Sequence, residues 1–362
     1  MIAGAATVPI SVRGAMESIE TAAGPIDADR LGNVLSHEHI FVVNDDYRVN
    51  FLPDWDEQAQ IDAAVATLTR LKASGIDTLM DVSVPGLGRN VERIAAVADR
   101  VDLNIVLATG LYTYHDLPFQ FHYTGPGLGF DAPDPLERRF VRDLTVGIGR
   151  SAIRAGFLYC AIESEGLSTG VERVMRAVGR AAVETGAPVV VHTNPHTASG
   201  LVAQRVLAEE GVDLSRVRMS HCGDTTDLDY LMRLADAGSL LGLDRFGVDV
   251  LLPYADRMRT LLALIERGYS DRIMLSQDAF CFSDWFEPAS LAEAAPDWDY
   301  FQVTGRVIPD LLAAGVSREV IDTMMRAVPR AFLTRSAGSS VSSDAVITVA
   351  DFEKTGFSPE KP

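Results

Sequence analysis

Residues 31–42, LGNVLSHEHIFV, restrict what this chain can fold into more than any other stretch. Apolar residues lead into His37 and His39, and Ile40, Phe41 and Val42 follow them. Such a run reads as a buried strand of a parallel sheet, covered on both faces. Strand side chains alternate with period two, so histidines at i and i+2 aim at the same side. Two imidazoles converging inside a protein suit one metal ion. A hydrogen-bonded histidine pair at a strand end suits the same spacing, and only further ligand types on later strands separate the two readings.

Short apolar runs alternate with amphipathic stretches along the rest of the chain. Strands are predicted at 31–42, 76–84, 104–111, 157–163, 188–194, 216–222, 239–246 and 273–280. Helical periodicity occupies 58–73, 91–99, 135–155, 171–185, 228–237 and 257–267. Eight strands alternating with helices predict an α/β fold, a (β/α)8 TIM barrel in a single domain. A doubly wound open sheet is the competitor, but the glycine-rich turn it usually carries does not follow the first strand. Residues 1–30 are expected to form a short N-terminal hairpin, 31–335 the barrel, and 336–362, opening with a Ser/Gly run, a C-terminal tail.

Composition narrows the function classes. The chain has 362 residues, 47% of them hydrophobic, enough for a large core. A net charge of −18, from 32 basic and 50 acidic residues, argues against nucleic acid or an anionic membrane surface as partner. Cys160, Cys222 and Cys281 lie far apart and form no CxxC pair, so no disulfide framework is expected. With no signal-peptide pattern at the start and no apolar run of roughly 20 residues, a soluble cytoplasmic protein is expected.

Each informative polar residue falls at the carboxyl end of a predicted strand, where barrel enzymes keep their active sites. His37 and His39 belong to the first strand, His192 to the fifth, His221 to the sixth and Asp278 to the eighth. Imidazoles and a carboxylate gathered on one face suit zinc, manganese, iron or cobalt.

The pattern HxH, HTN, HCGDTTDLDYL, GLDRFG and LSQD resembles the phosphotriesterase family of the amidohydrolase superfamily, and within it the phosphotriesterase-like lactonases, which open N-acyl-homoserine lactones. The similarity runs from about Gly24 to Thr334 and includes GLYTYHDLPF, LAEEGVDLSRV and RVIPDLLAAGVS. The resemblance implies two divalent metal ions, zinc first, with cobalt, iron or manganese as alternatives. His37, His39 and Asp278 would hold the more buried ion, His192 and His221 the more exposed one. A metal-bound hydroxide would attack the substrate while Asp278 takes the proton. Tyr112 and Arg245 would line the pocket, and Asp224 would help carry the proton away. A small-molecule lactone or ester substrate and a homodimer are implied on the same basis.

One position departs from the family. The fourth strand should end in a lysine whose carbamate bridges both ions, and GFLYCAIESEG has Tyr159 there. The only lysines are Lys72, on a predicted helix, and Lys354 and Lys361 in the tail. Tyr159 is either a phenolate ligand or a residue that fills space, and Glu163 and Glu165 are either substitute ligands or loop acids. Gln277 stands where the lactonases commonly have a histidine. The expected function is a metal-dependent hydrolase that opens lactones (quorum quenching), with weak phosphotriesterase activity. The alternatives are a non-hydrolytic or one-metal binding barrel, or a hydrolase of another ester or amide. Val248, Val250, Leu251, Leu252, Phe280, Phe282 and Trp285 are expected to line the acyl pocket.

Overall fold

The computed structural model describes residues 18–52 and 54–334. The part of the expected hairpin segment before residue 18 and the expected tail at 336–362 lie outside the described residues. Strands β1 (Ser18–Ile19) and β2 (Ile26–Asp27) pair antiparallel. Then follow β3 (Val34–Val42), β4 (Thr78–Asp81), β5 (Asn104–Gly110), β6 (Phe157–Ile162), β7 (Val189–Thr193), β8 (Val217–Met219), β9 (Leu240–Leu243), β10 (Ile273–Leu275) and β11 (Phe280–Ser283). These nine form one parallel sheet in the order β10-β9-β8-β7-β6-β5-β4-β3-β11. The two ends of that sheet are successive halves of a single eighth strand: β10 pairs with β9 and β11 with β3. The sheet therefore curls back on itself as a (β/α)8 barrel.

Local sequence explains where elements start and stop. The helices Glu57–Ala73, Val91–Ala98, Pro135–Thr145, Thr169–Thr185 and Leu228–Asp236 each open on a side chain (Asp56, Asn90, Asp134, Ser168, Asp227) that accepts a first-turn N–H. The helix predicted over 135–155 ends at Thr145, because Gly147 and Gly149 leave it with φ of +151° and +60°. Near the end of the barrel, π turns at Val303–Val307 and Thr323–Ala327 run into Pro309 and Pro329. Proline has no N–H to continue the ladder of hydrogen bonds, which accounts for the widened turns.

Apolar burial is layered. One cluster, including Leu68, Val97, Leu158, Val178, Leu207 and Leu261, fills the space between sheet and helices. A second fills the barrel interior with Val34, Met80, Val106, Phe157, Val190 and Met274. Ile19 of the hairpin and Phe332 and Leu333 of the last helix join that interior cluster and close the amino-terminal mouth. The opposite mouth is left to polar chemistry. Among the described residues no helix is long and apolar enough to cross a membrane.

β3 ends at Val42 as expected, so His37 and His39 sit within the strand. Two other boundaries that bear on the site differ from the sequence-based expectation. β8 stops at Met219, and His221 follows it in the left-handed region with φ +65°. The eighth strand is not continuous over 273–280 but breaks at 276–279, where Asp278 also takes a left-handed φ of +57°. Asp and His tolerate this conformation better than branched residues, and its occurrence at two expected ligands marks a site whose backbone is held by its surroundings.

Candidate metal centre

His37 and His39 project from β3 into the carboxyl-end mouth, with Asp278 facing them from the break in the eighth strand. All three are buried, and their ligand atoms lie within 4.8 Å of one another. Asp278 Oδ1 is 3.4 Å from Nε2 of both His37 and His39. The far ring nitrogens are engaged elsewhere. His37 Nδ1 lies 3.1 Å from Ser220 Oγ, 3.3 Å from Arg218 Nη1 and 3.5 Å from Asp244 Oδ2. His39 Nδ1 lies 2.9 Å from Ser83 Oγ. His37 Nε2, by contrast, is buried without a hydrogen bond among the described residues. A buried polar atom without a partner needs an explanation, and ligating imidazoles are held in this way by their other nitrogen. Two imidazoles and a carboxylate converging with a free nitrogen are a donor set that fits a divalent ion.

Electrostatics keep these donors in their ligating forms. Burial lowers the His37 imidazolium to about 4, outweighing the pull of Asp278 and Asp244, so the ring is neutral at pH 7. Burial alone would raise the Asp278 carboxyl, but His37, His39 and Arg245 hold it well below the carboxylate range.

Across the cavity, His192 Nδ1 and His221 Nε2 lie 2.8 Å apart. Asp244 is fully buried and fixes His221, accepting from its backbone N at 2.8 Å and lying 3.0 Å from its Nδ1. Arg218, also fully buried, donates to Asp244 at 2.7 Å. The other nitrogen of His192 lies 3.4 Å from both Glu163 Oε1 and Tyr114 Oη. Burial, then neighbouring His221, lowers the His192 imidazolium to about 3. Glu163 is thus turned to the back of His192, where the histidine holds its carboxyl well down, while Glu165 is exposed.

Tyr159 lines the same cavity, buried, with its ring 5.7 Å from that of His37 and stacked at 6.0 Å on Tyr112. Burial, then Asp278 and Tyr114, push its hydroxyl well above the ordinary phenol range. Tyr112 and Tyr114 touch hydroxyl to hydroxyl beside His192. Arg245 donates from Nε to Asp278 and from Nη1 to Asp224, both at 2.9 Å, and Arg257 holds the other Asp224 oxygen. The expected proton path from Asp278 to Asp224 therefore meets a guanidinium, which keeps its protons.

The cavity above these groups is walled by Leu87, Phe280, Trp285, Phe286 and Trp298. Of the residues expected to line it, Phe280 and Trp285 do so. Val250 and Leu251 are exposed instead, and Phe282 packs against Trp55 with ring centres 5.0 Å apart. Gln277 turns away from the cavity toward Glu38 and Tyr300. Sequence reasoning passed over Arg218, Asp244, Ser220 and Tyr114. Arg218 carried a readable signal, a charge in the middle of an otherwise buried strand.

Comparison with known proteins agrees with this geometry. The sequence profile of the phosphotriesterase family matches residues 17–333. A phosphotriesterase homology protein of Mycobacterium tuberculosis is 48% identical over 324 residues, covering 89% of this chain and 99% of the relative. An aryldialkylphosphatase of Saccharolobus solfataricus is 36% identical over 311 residues, covering 85% of this chain and 97% of the relative. The solved structure of the phosphotriesterase from Mycobacterium tuberculosis superposes with a TM-score of 0.86 at 48% identity, covering 88% of this chain and 98% of that one. Similarity that spans the hairpin, the barrel strands and the turns bearing His37, His39, His192, His221 and Asp278 leaves no element of the site outside it: the chain belongs to the phosphotriesterase family, a family of binuclear metal-dependent hydrolases.

Proposed function

We propose that this chain opens lactone rings, N-acyl-homoserine lactones first among them (quorum quenching), with weaker action on phosphotriesters. The observation that carries the reading is the convergence of His37, His39 and Asp278 opposite His192 and His221, beneath an aromatic wall. When bound, divalent ions, zinc first and cobalt, iron or manganese next, would polarise the scissile carbonyl and ease deprotonation of water. Asp278, kept ionised by its neighbours and pinned through Oδ2 by Arg245, receives the proton. Asp224 serves by holding Arg245 rather than by relaying that proton. Tyr112 and Tyr114 set hydroxyls at the cavity edge to orient the carbonyl, and Phe280, Trp285 and Phe286 take the apolar acyl chain and exclude water. Tyr159 is assigned as a ligand in the place of the bridging lysine. A homodimer in the cytoplasm completes the proposal, on resemblance and composition alone.

A second reading, a phosphotriester hydrolase, is favoured by the name of the Saccharolobus solfataricus relative. Measurement of kcat/KM on homoserine lactones of graded acyl length, against an aryl phosphotriester, decides between them. Lactones with medium or long chains are expected to be turned over faster. Turnover of the triester with no lactone opened at any chain length rejects the first reading.

A further inference from the structure

Between the two histidines of β3 stands Glu38, which is fully buried yet does not face the cavity. Its carboxylate is turned to the break in the eighth strand. Oε1 accepts from Ser276 Oγ at 2.6 Å and from Gln277 N and Nε2, each at 3.0 Å. Oε2 accepts from Ala279 N at 2.7 Å. One carboxylate thus supplies acceptors for the amides on either side of Asp278, where the strand has left β9 and has not yet reached its β11 pairing. Ser276 Oγ in turn accepts from the backbone N of His37 at 2.9 Å, and Asp278 N donates to His37 O at 3.2 Å. Gln277, held by Glu38, also donates to Tyr300 O and accepts from Val303 N, each at 3.0 Å, which anchors the break to the segment beyond the barrel.

From this geometry we infer that Glu38 is a positioning residue: it holds the left-handed turn at Asp278 and thereby sets the Asp278 carboxylate against His37 and His39. The inference rests on the reading of those three residues as ligands. Buried amides without acceptors are costly, so the turn at 276–279 needs a substitute for the missing ladder bonds. Were Asp278 to relax to an extended conformation, its side chain would swing away from the histidines. The carboxylate therefore acts on the centre through the backbone, without touching an ion.

The test is calorimetric titration of metal-stripped protein with zinc, and in parallel with cobalt, alongside thermal unfolding of the same metal-free samples. Glu38→Gln keeps the volume but presents an N–H to Ala279 N or to the Ser276–Gln277 pair. It is expected to weaken binding of the tighter ion by roughly 10- to 100-fold, the range typical of groups that orient ligands. Ser276→Ala, which removes one donor, is expected to give a smaller loss in the same direction and keeps the test open should the Gln variant not fold. Gln204→Leu is the control, since it removes the buried hydrogen bonds to Leu234 O and Ser239 Oγ, remote from the centre. It should lower the unfolding temperature and leave zinc affinity unchanged. Affinity within twofold of the parent in both the Gln and Ala variants, with unfolding lowered as in the control, would overturn the inference. If the parent protein itself binds neither ion, the ligand reading fails first and the inference falls with it.

Discussion

Tyr159 stands where the resemblance to the family implies a charged, bridging lysine. Two dications a few ångströms apart repel strongly in a partly desolvated site, so an anion between them is needed. Tyr159→Phe removes only the hydroxyl and is expected to lower the affinity for at least one ion; unchanged metal content by elemental analysis would show that the ring merely fills space. His37→Ala and His192→Ala should each lower bound metal and abolish hydrolysis, and full occupancy in both would refute the ligand assignment. Arg218 is the other telling residue, a buried guanidinium between Asp244, Ser36, Ser220 and His37. Arg218→Met strands the buried Asp244, and breaking such a pair costs about 3–5 kcal/mol. Denaturant unfolding at neutral pH measures that loss, and adding Asp244→Asn should restore part of it.

At the level of strands and helices, the order of elements was legible because both periodicities are strong. Runs such as 104–111 and 157–163 have too many apolar residues in too short a span to be helices. The ends were less legible. Nothing in 273–280 says that Asp278 will turn left-handed, since the acceptor that holds the turn, Glu38, is far away in sequence. The proposed ligands were readable by type, and Arg218 showed as a charge inside a buried strand, whereas the supporting Asp244 and Ser220 were not readable, because hydrogen-bonded neighbours leave no spacing rule. Gly110 shows how closely neighbouring strands meet at this site. It pairs with Tyr159 at φ +148°, and a Cβ there would lie 1.8 Å from the Tyr159 carbonyl oxygen. Gly110→Ala should therefore push β5 from β6 and destabilise by more than the ~1 kcal/mol typical of a tolerated Gly/Ala exchange. A shift of the denaturation midpoint smaller than that would mean the strands yield easily.

For the molecule as a whole, an ion bound only by the native state adds stability by mass action. At 100 times its dissociation constant the gain is about 2.7 kcal/mol. Chelation is expected to lower the unfolding temperature, and excess zinc to restore it, while a control variant lacking His37 should respond less. The break in the eighth strand has a consequence for how this barrel breathes. Its first half is bonded to β9 and its second to β3, so the ring is joined at a seam bridged by the side chains of Ser36, Glu38 and Ser276 and by backbone bonds of Asp278 and Ala279 to β3. Transient opening of the ring, followed by hydrogen–deuterium exchange, should begin at the amides of residues 277–279 and not at the uninterrupted contacts of β6 with β7. An ion held between β3 and Asp278 would bind the two lips of that seam together, so exchange there should slow on loading far more than anywhere else in the sheet.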